Sequence, residues 1–104
     1  MRVLSELFQG ITGFECDEGN SEKNWRRHRV TQLEAEQVFF NQPILVSHDL
    51  AHSGEEVRYF ALGRTNAGRT LMLVFTLRRP LLRVISARPM SRRERRQYGQ
   101  AQRA

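Results

Sequence analysis

Residues 56–88 read EVRYFALGRTNAGRTLMLVFTLRRPLLRVISAR, and the fold turns on how they divide. Residues 56–64 are rich in β-formers, Thr65-Asn66-Ala67-Gly68 carries turn residues, and residues 69–77 form a long apolar run. Arg79-Pro80 interrupts before a third run, residues 82–88. Three such runs joined by short turns predict an antiparallel meander. Strand alternation then assigns faces. In the first run Arg58, Phe60, Leu62 and Arg64 share one face, and Val57, Tyr59, Ala61 and Gly63 the other. In the third, Leu82, Val84, Ser86 and Arg88 oppose Arg83, Ile85 and Ala87. Strands apolar on both faces but ending in Arg predict a sheet half covered by helices, with arginines around its open edge. Any one such Arg also has a plain role, since charge on a sheet edge discourages aggregation.

Upstream, residues 13–16 read as a short strand and Asp17 as the N-cap of a helix over Glu18–His28, with Trp25 its apolar anchor. Thr31 and Glu34 have capping-box spacing for a second helix, whose buried stripe is Leu33, Val38 and Phe39 or Phe40. Asn41-Gln42-Pro43 stops it. Residues 44–47 form a short strand and 48–54 a polar loop. Downstream, Pro89 ends the last strand. Ser91 and Glu94 cap a terminal helix over residues 92–98, and the remainder frays. The expectation is one α+β domain over residues 1–104: an N-terminal extension at 1–13, the domain proper at 14–98 and a frayed tail at 99–104. Its helices pack on one face of a small, mainly antiparallel sheet, with a basic C-terminal helix.

The 104 residues carry a net charge of +6, and of 17 basic residues all but Lys23 are Arg. Residues 78–104 hold nine Arg against Glu94 alone, net +8, whereas residues 1–77 are net −2. A cationic third on a mildly acidic body points to an anionic partner. Guanidinium suits phosphate or carboxylate, because its rigid fork grips them bidentately. Nothing approaches the length of a membrane span. The N-terminus is too short and weakly apolar for a secretory signal, and Cys16 stands alone. A soluble, cytoplasmic domain without disulfides is expected. His48, Asp49 and His52 lack a fourth ligand, so no metal or other cofactor is expected.

Phe14-Glu15-Cys16-Asp17, Asn24 and Arg26-Arg27-His28 are similar to the opening "FEWD…N…KHG" of BrnT-family ribonuclease toxins. Val38-Phe39-Phe40 resembles the family's "VF" helix end, and His52-Ser53, Glu56 and Arg58 its "HS…GEERF" block. Gly63-Arg64, Gly68-Arg69, Phe75-Thr76, residues 83–88 (RVISAR) and residues 92–98 (RRERRQY) resemble "GRS…GR…VYT…RIISAR…RRERRRY". The resemblance covers residues 14–98 in order. It implies a RelE-like α+β fold, an endoribonuclease that halts growth, and a BrnA-like antitoxin that neutralises it. Operator DNA would be reached only through the toxin–antitoxin complex. Three positions depart from the pattern: Cys16 for Trp, Asn20 for Lys and Arg29 for Gly. The second removes a charged group from near the expected site.

Metal-free RNA cleavage needs a base for the 2′-hydroxyl, cations for the pentacoordinate phosphorane and an acid for the departing 5′-oxygen. His28 is the first candidate for proton transfer, histidine being the side chain that titrates near neutrality, and Glu56 is the alternative base. Arg64, Arg83 and Arg88 are candidates to hold the scissile phosphate. Arg58 shares that work or pairs with Glu56. Arg92, Arg93 and Arg96 suit the RNA backbone or an acidic antitoxin segment, and Tyr98 stacking or packing. The competing reading is a basic module that binds nucleic acid or antitoxin without cleaving.

Overall fold

The computed structural model describes residues 6–49, 54 and 56–103. Its strands are β1 (Gly13–Glu15), β2 (Leu45–Asp49), β3 (Arg58–Arg64), β4 (Thr70–Arg78) and β5 (Leu81–Pro89). They form one sheet in the order β1-β5-β4-β3-β2. The β2-β3-β4-β5 pairings are antiparallel, and β1 joins β5 in parallel. The helices are α1 (Glu18–His28), α2 (Gln32–Gln37) and α3 (Arg92–Arg103), with a 3-10 turn at Val38–Phe40. The α+β expectation and the meander hold. β2 runs on to Asp49, into the stretch expected to be loop. α3 continues through Arg103, past its expected end at Tyr98.

The helices do not all lie on one face. Odd-numbered residues of β3 and β4 (Tyr59, Ala61, Leu71, Leu73, Phe75) build the larger core with Val30, Ala35, Val38 and Phe39 from α2 and the segments on either side of it. Even-numbered residues (Phe60, Leu62, Met72, Val74) face the other way and pack with Met90 and Tyr98 at α3. α3 sits on that second face because Tyr98, only 1% exposed, is its single buried residue and anchors it there.

β5 departs from plain alternation. Val74 opposes Ser86 whereas Phe75 opposes Val84, so Ile85 is an extra residue in the ladder. A bulge of this kind shifts every later side chain to the other face. Leu82, Val84 and Ala87 therefore enter the larger core together, and Arg83, Ser86 and Arg88 share the second face.

The helix starts form as expected. Asp17 Oδ1 accepts from Asn20 N–H at 2.8 Å to cap α1. Thr31 and Glu34 complete a reciprocal capping box on α2. The anchors differ. Asn24 rather than Trp25 faces β5, and its Oδ1 accepts from Ala87 N–H in the buried interface at 3.2 Å. Trp25, one step around the helix, is 46% exposed, with the Arg29 guanidinium 5.1 Å from its ring centre. Arg29 itself closes α1 in the left-handed conformation, φ 55°, which glycine adopts most readily. Leu33, in the first turn of α2, is 65% exposed; the helix ends after six residues, and the tighter turn that follows rotates Val38 inward while leaving Phe40 75% exposed. Gly63 lets β3 pass against Val38, where a Cβ would overlap the valine side chain. The described part of residues 1–13 also packs. Phe8 stands against Phe39 and Phe75, and the Arg79 guanidinium donates to the Leu7 and Gln9 carbonyls.

Candidate active site

Directly opposed residues on neighbouring strands project to the same side of a sheet. On the face that carries α3, one row crosses all five strands: Asp49, Arg58, Thr76, Arg83, Glu15. Two residues along lies Ser47, Phe60, Val74, Ser86, and beyond it Leu45, Leu62, Met72, Arg88. α3 covers the third row. Over the first, a cleft of about 530 Å³ opens, lined among others by Asp17, Asn20, Glu56, Arg58, Thr76, Arg78 and Arg83.

The cleft is a lattice of guanidinium and carboxylate. Arg83 Nη2 and Nε donate to Glu15 Oε1 and Oε2 at 2.9 and 3.3 Å, and its Nη1 donates to Asp17 Oδ2 at 3.1 Å. Arg78 Nε and Nη2 each donate to Glu56 at 2.7 Å, and Arg78 Nη1 lies 3.7 Å from Glu15. Thr76 Oγ1 donates to the Val57 carbonyl at 2.9 Å. The acids hold the guanidiniums in fixed orientation, yet each guanidinium has five N–H donors, so some remain for an incoming oxyanion. The forked bond from Arg78 holds the Glu56 carboxyl below the usual glutamate range, and the charges of Arg83 and Arg58 act in the same direction. Glu56 in turn pushes the Arg78 guanidinium up. Glu56 is thus ionised at neutral pH, faces solvent, and stands beside the cations that would compensate a phosphate.

Of the residues expected to act together, the cleft gathers Glu56, Arg58 and Arg83. The others lie elsewhere. His28 ends α1, about 15 Å along the helix axis from the end that holds Asp17, and its carbonyl accepts from Arg69 Nη2 at 2.9 Å. Arg64 is at the opposite end of β3 from Arg58, with Nε and Nη2 on the Gln42 carbonyl at 3.1 and 2.9 Å. Arg88 forms a two-bond pair with Glu94 at 2.8 and 2.9 Å. Tyr98 has no exposed ring for a base to stack on. It is core, its hydroxyl donates to the Pro43 carbonyl at 2.7 Å, and burial pushes its pKa up. Arg92, Arg93 and Arg96 are exposed on α3. The His48 ring lies tilted against Tyr59, 4.9 Å between ring centres, on the other face, and His52 and Ser53 lie outside the described residues.

Sequence reasoning missed Arg78 and Thr76, and read Asp17 only as a cap. Alternation within β4 places Thr76 and Arg78 on one face, so that signal was present. Their meeting with Arg58 and Arg83 depends on register, which single-strand patterns do not contain. The same geometry explains three of the motifs. Glu15 and Asp17 clamp the first Arg of RVISAR, and Asn24 pins α1 to the alanine of the same run.

Residues 16–94 match a family model described as "Ribonuclease toxin, BrnT, of type II toxin-antitoxin system". No curated protein sequence matches the chain. Among solved structures, the crystal structure of the Brucella abortus ribonuclease toxin BrnT superposes with a TM-score of 0.60 at 21% identity, covering 78% of this chain and 99% of that one. That likeness speaks for the fold, and the family model for membership. The chain belongs to the BrnT family, the ribonuclease toxins of type II toxin–antitoxin systems.

Proposed function

We propose that this toxin cuts RNA in the cleft at the N-terminal end of α1, without a metal ion, by attack of a ribose 2′-hydroxyl on the adjacent phosphorus. The observation that carries the reading is the convergence of Arg58, Thr76, Arg78 and Arg83 from three neighbouring strands beside the ionised Glu56. Arg58, Arg78 and Arg83 compensate the charge that builds on the phosphorane oxygens, the term that is usually largest in such reactions. Glu56 takes the 2′-hydroxyl proton. The 2′-oxygen–phosphorus bond forms as the phosphorus–5′-oxygen bond breaks, leaving a 2′,3′-cyclic phosphate. The proton returns to the departing 5′-oxygen through water in the open cleft. A low pKa makes Glu56 a modest base, but the cations that lower it are those that stabilise the transition state.

His28 and Arg64 act in this account as structural residues, and Arg92, Arg93 and Arg96 as contacts to the RNA backbone. The antitoxin partner is BrnA-like, the pair meets operator DNA only as a complex, and the toxin works in the cytoplasm. The test is induction without antitoxin of the unaltered chain, Arg83→Lys and His28→Ala, followed by RNA integrity on a gel. Growth arrest and RNA fragmentation are expected for the unaltered chain and for His28→Ala, and neither for Arg83→Lys, which keeps the charge but loses the fork. Full toxicity of Arg83→Lys would move the reaction to another site.

A further inference from the structure

Between the cationic row and α3 lies a groove of about 360 Å³, to which Ser47, Phe60, Arg88, Glu94 and Gln97 contribute. Phe60 is half-buried and follows Arg58 by two residues on the same face of β3. At the rise of an extended strand that is about 7 Å, the scale of one nucleotide's reach from phosphate to base. The rim is polar and of both signs. Ser47 and Gln97 are exposed. The Arg88–Glu94 pair is fixed by its two bonds, with Glu94 also accepting from Ser91 N–H at 2.8 Å. An aromatic surface edged by donors and acceptors is what an unpaired base needs, since proteins read single-stranded RNA by stacking and by hydrogen bonds to base edges. Leu45, Val46, Leu62 and Met72 complete the lining, and an apolar surface edged by charged and amide groups suits the flat ring and polar edge of a base better than a wholly apolar side chain.

We propose that this groove is a base subsite, taking one unpaired base of the RNA whose phosphate is held by Arg58, Arg78 and Arg83. The proposal rests on the reading of the cleft given above. Phe60 offers the stacking face, and Gln97 with the Arg88–Glu94 pair reads the edge. The groove then seats the base and selects the cut site, and the cleft carries the bond-breaking chemistry. Arg88, first taken for a phosphate ligand, becomes a specificity residue.

One RNA transcript, cut by the purified unaltered toxin, Phe60→Leu, Gln97→Ala and Arg83→Lys and mapped at nucleotide resolution, tests this. Phe60→Leu keeps an apolar side chain and should slow cleavage about tenfold by loss of stacking. Gln97→Ala alters an exposed side chain and should leave the fold intact while redistributing the cuts among sequences. Arg83→Lys should abolish cutting at all of them. If Phe60→Leu and Gln97→Ala both keep the original rate and pattern while Arg83→Lys is dead, the groove reads no base and the cleft assignment stands. If Arg83→Lys cuts normally, the cleft assignment falls and the subsite with it. If the two groove variants cut normally but no longer bind antitoxin, the groove is a protein-docking surface and the proposal is wrong.

Discussion

The arginines of the sheet and those of α3 belong to the same basic surplus, yet they are placed in opposite ways. Arg78 and Arg83 are each tied to carboxylates from neighbouring segments, Arg83 half-buried and Arg78 nearer the surface. Arg92, Arg93 and Arg96 lie exposed along one helix, where Glu94 is the only acid and is committed to Arg88 and the helix cap. Fixed guanidiniums suit charge that develops at one point in a reaction, because their orientation needs no rearrangement as it appears. Exposed arginines make a diffuse field that attracts a polyanion and is screened by salt. On the proposed reading the sheet carries the chemistry, and the helix supplies grip.

The largest effect is expected at Arg83. Arg83→Ala should lower the cleavage rate about a hundredfold to a thousandfold, the cost of removing a preorganised oxyanion donor, in a gel-based rate assay. Glu56→Gln should cost about a hundredfold, the low end for a lost general base. The pH profile checks that role. Because the folded-state pKa of Glu56 is lowered, the carboxylate stays ionised to below the ordinary glutamate range. Activity should hold from neutrality into mild acid and fall only as pH drops through that lowered value; a rate that declines through pH 7 to 6 would assign the proton transfer to a histidine. On the helix, Arg92→Ala with Arg96→Ala should weaken RNA binding about tenfold uniformly across sequences. The slope of log affinity against log salt should also fall by about one for each phosphate contact removed. The smallest effect is expected from Asn20→Lys, which returns to the cleft a cation that the family pattern has there. A gain of about threefold in RNA affinity is expected from one added charge in a solvated cleft; no gain would place residue 20 outside the substrate's path.

The meander, the capped helix starts and the basic C-terminal helix were legible because each depends on local pattern. Turn residues at 65–68, capping pairs at Thr31–Glu34 and Ser91–Glu94, and long β-rich runs act within a few residues. The site was only partly legible. Alternation through residues 82–88 put Arg83 with Ala87, until the bulge at Ile85 moved Ala87 inward and left Arg83, Ser86 and Arg88 together. The row that gathers Arg58, Thr76 and Arg83 is a matter of cross-strand register. Trp25 was the natural anchor of α1 by hydrophobicity. The helix instead presents Asn24, because the amide can satisfy a strand N–H that an indole ring would leave unpaired. His28 had the right chemistry, but three turns of helix separate it from the cleft.

Single-turnover cleavage at saturating RNA separates the two sets of arginines in one measurement. With binding saturated, Arg92→Ala/Arg96→Ala should cleave at the rate of the unaltered toxin, whereas Arg83→Ala should remain slow however much RNA it binds. Equal loss in both variants, or a slow helix variant beside an active Arg83→Ala, would contradict the assignment of chemistry to the sheet.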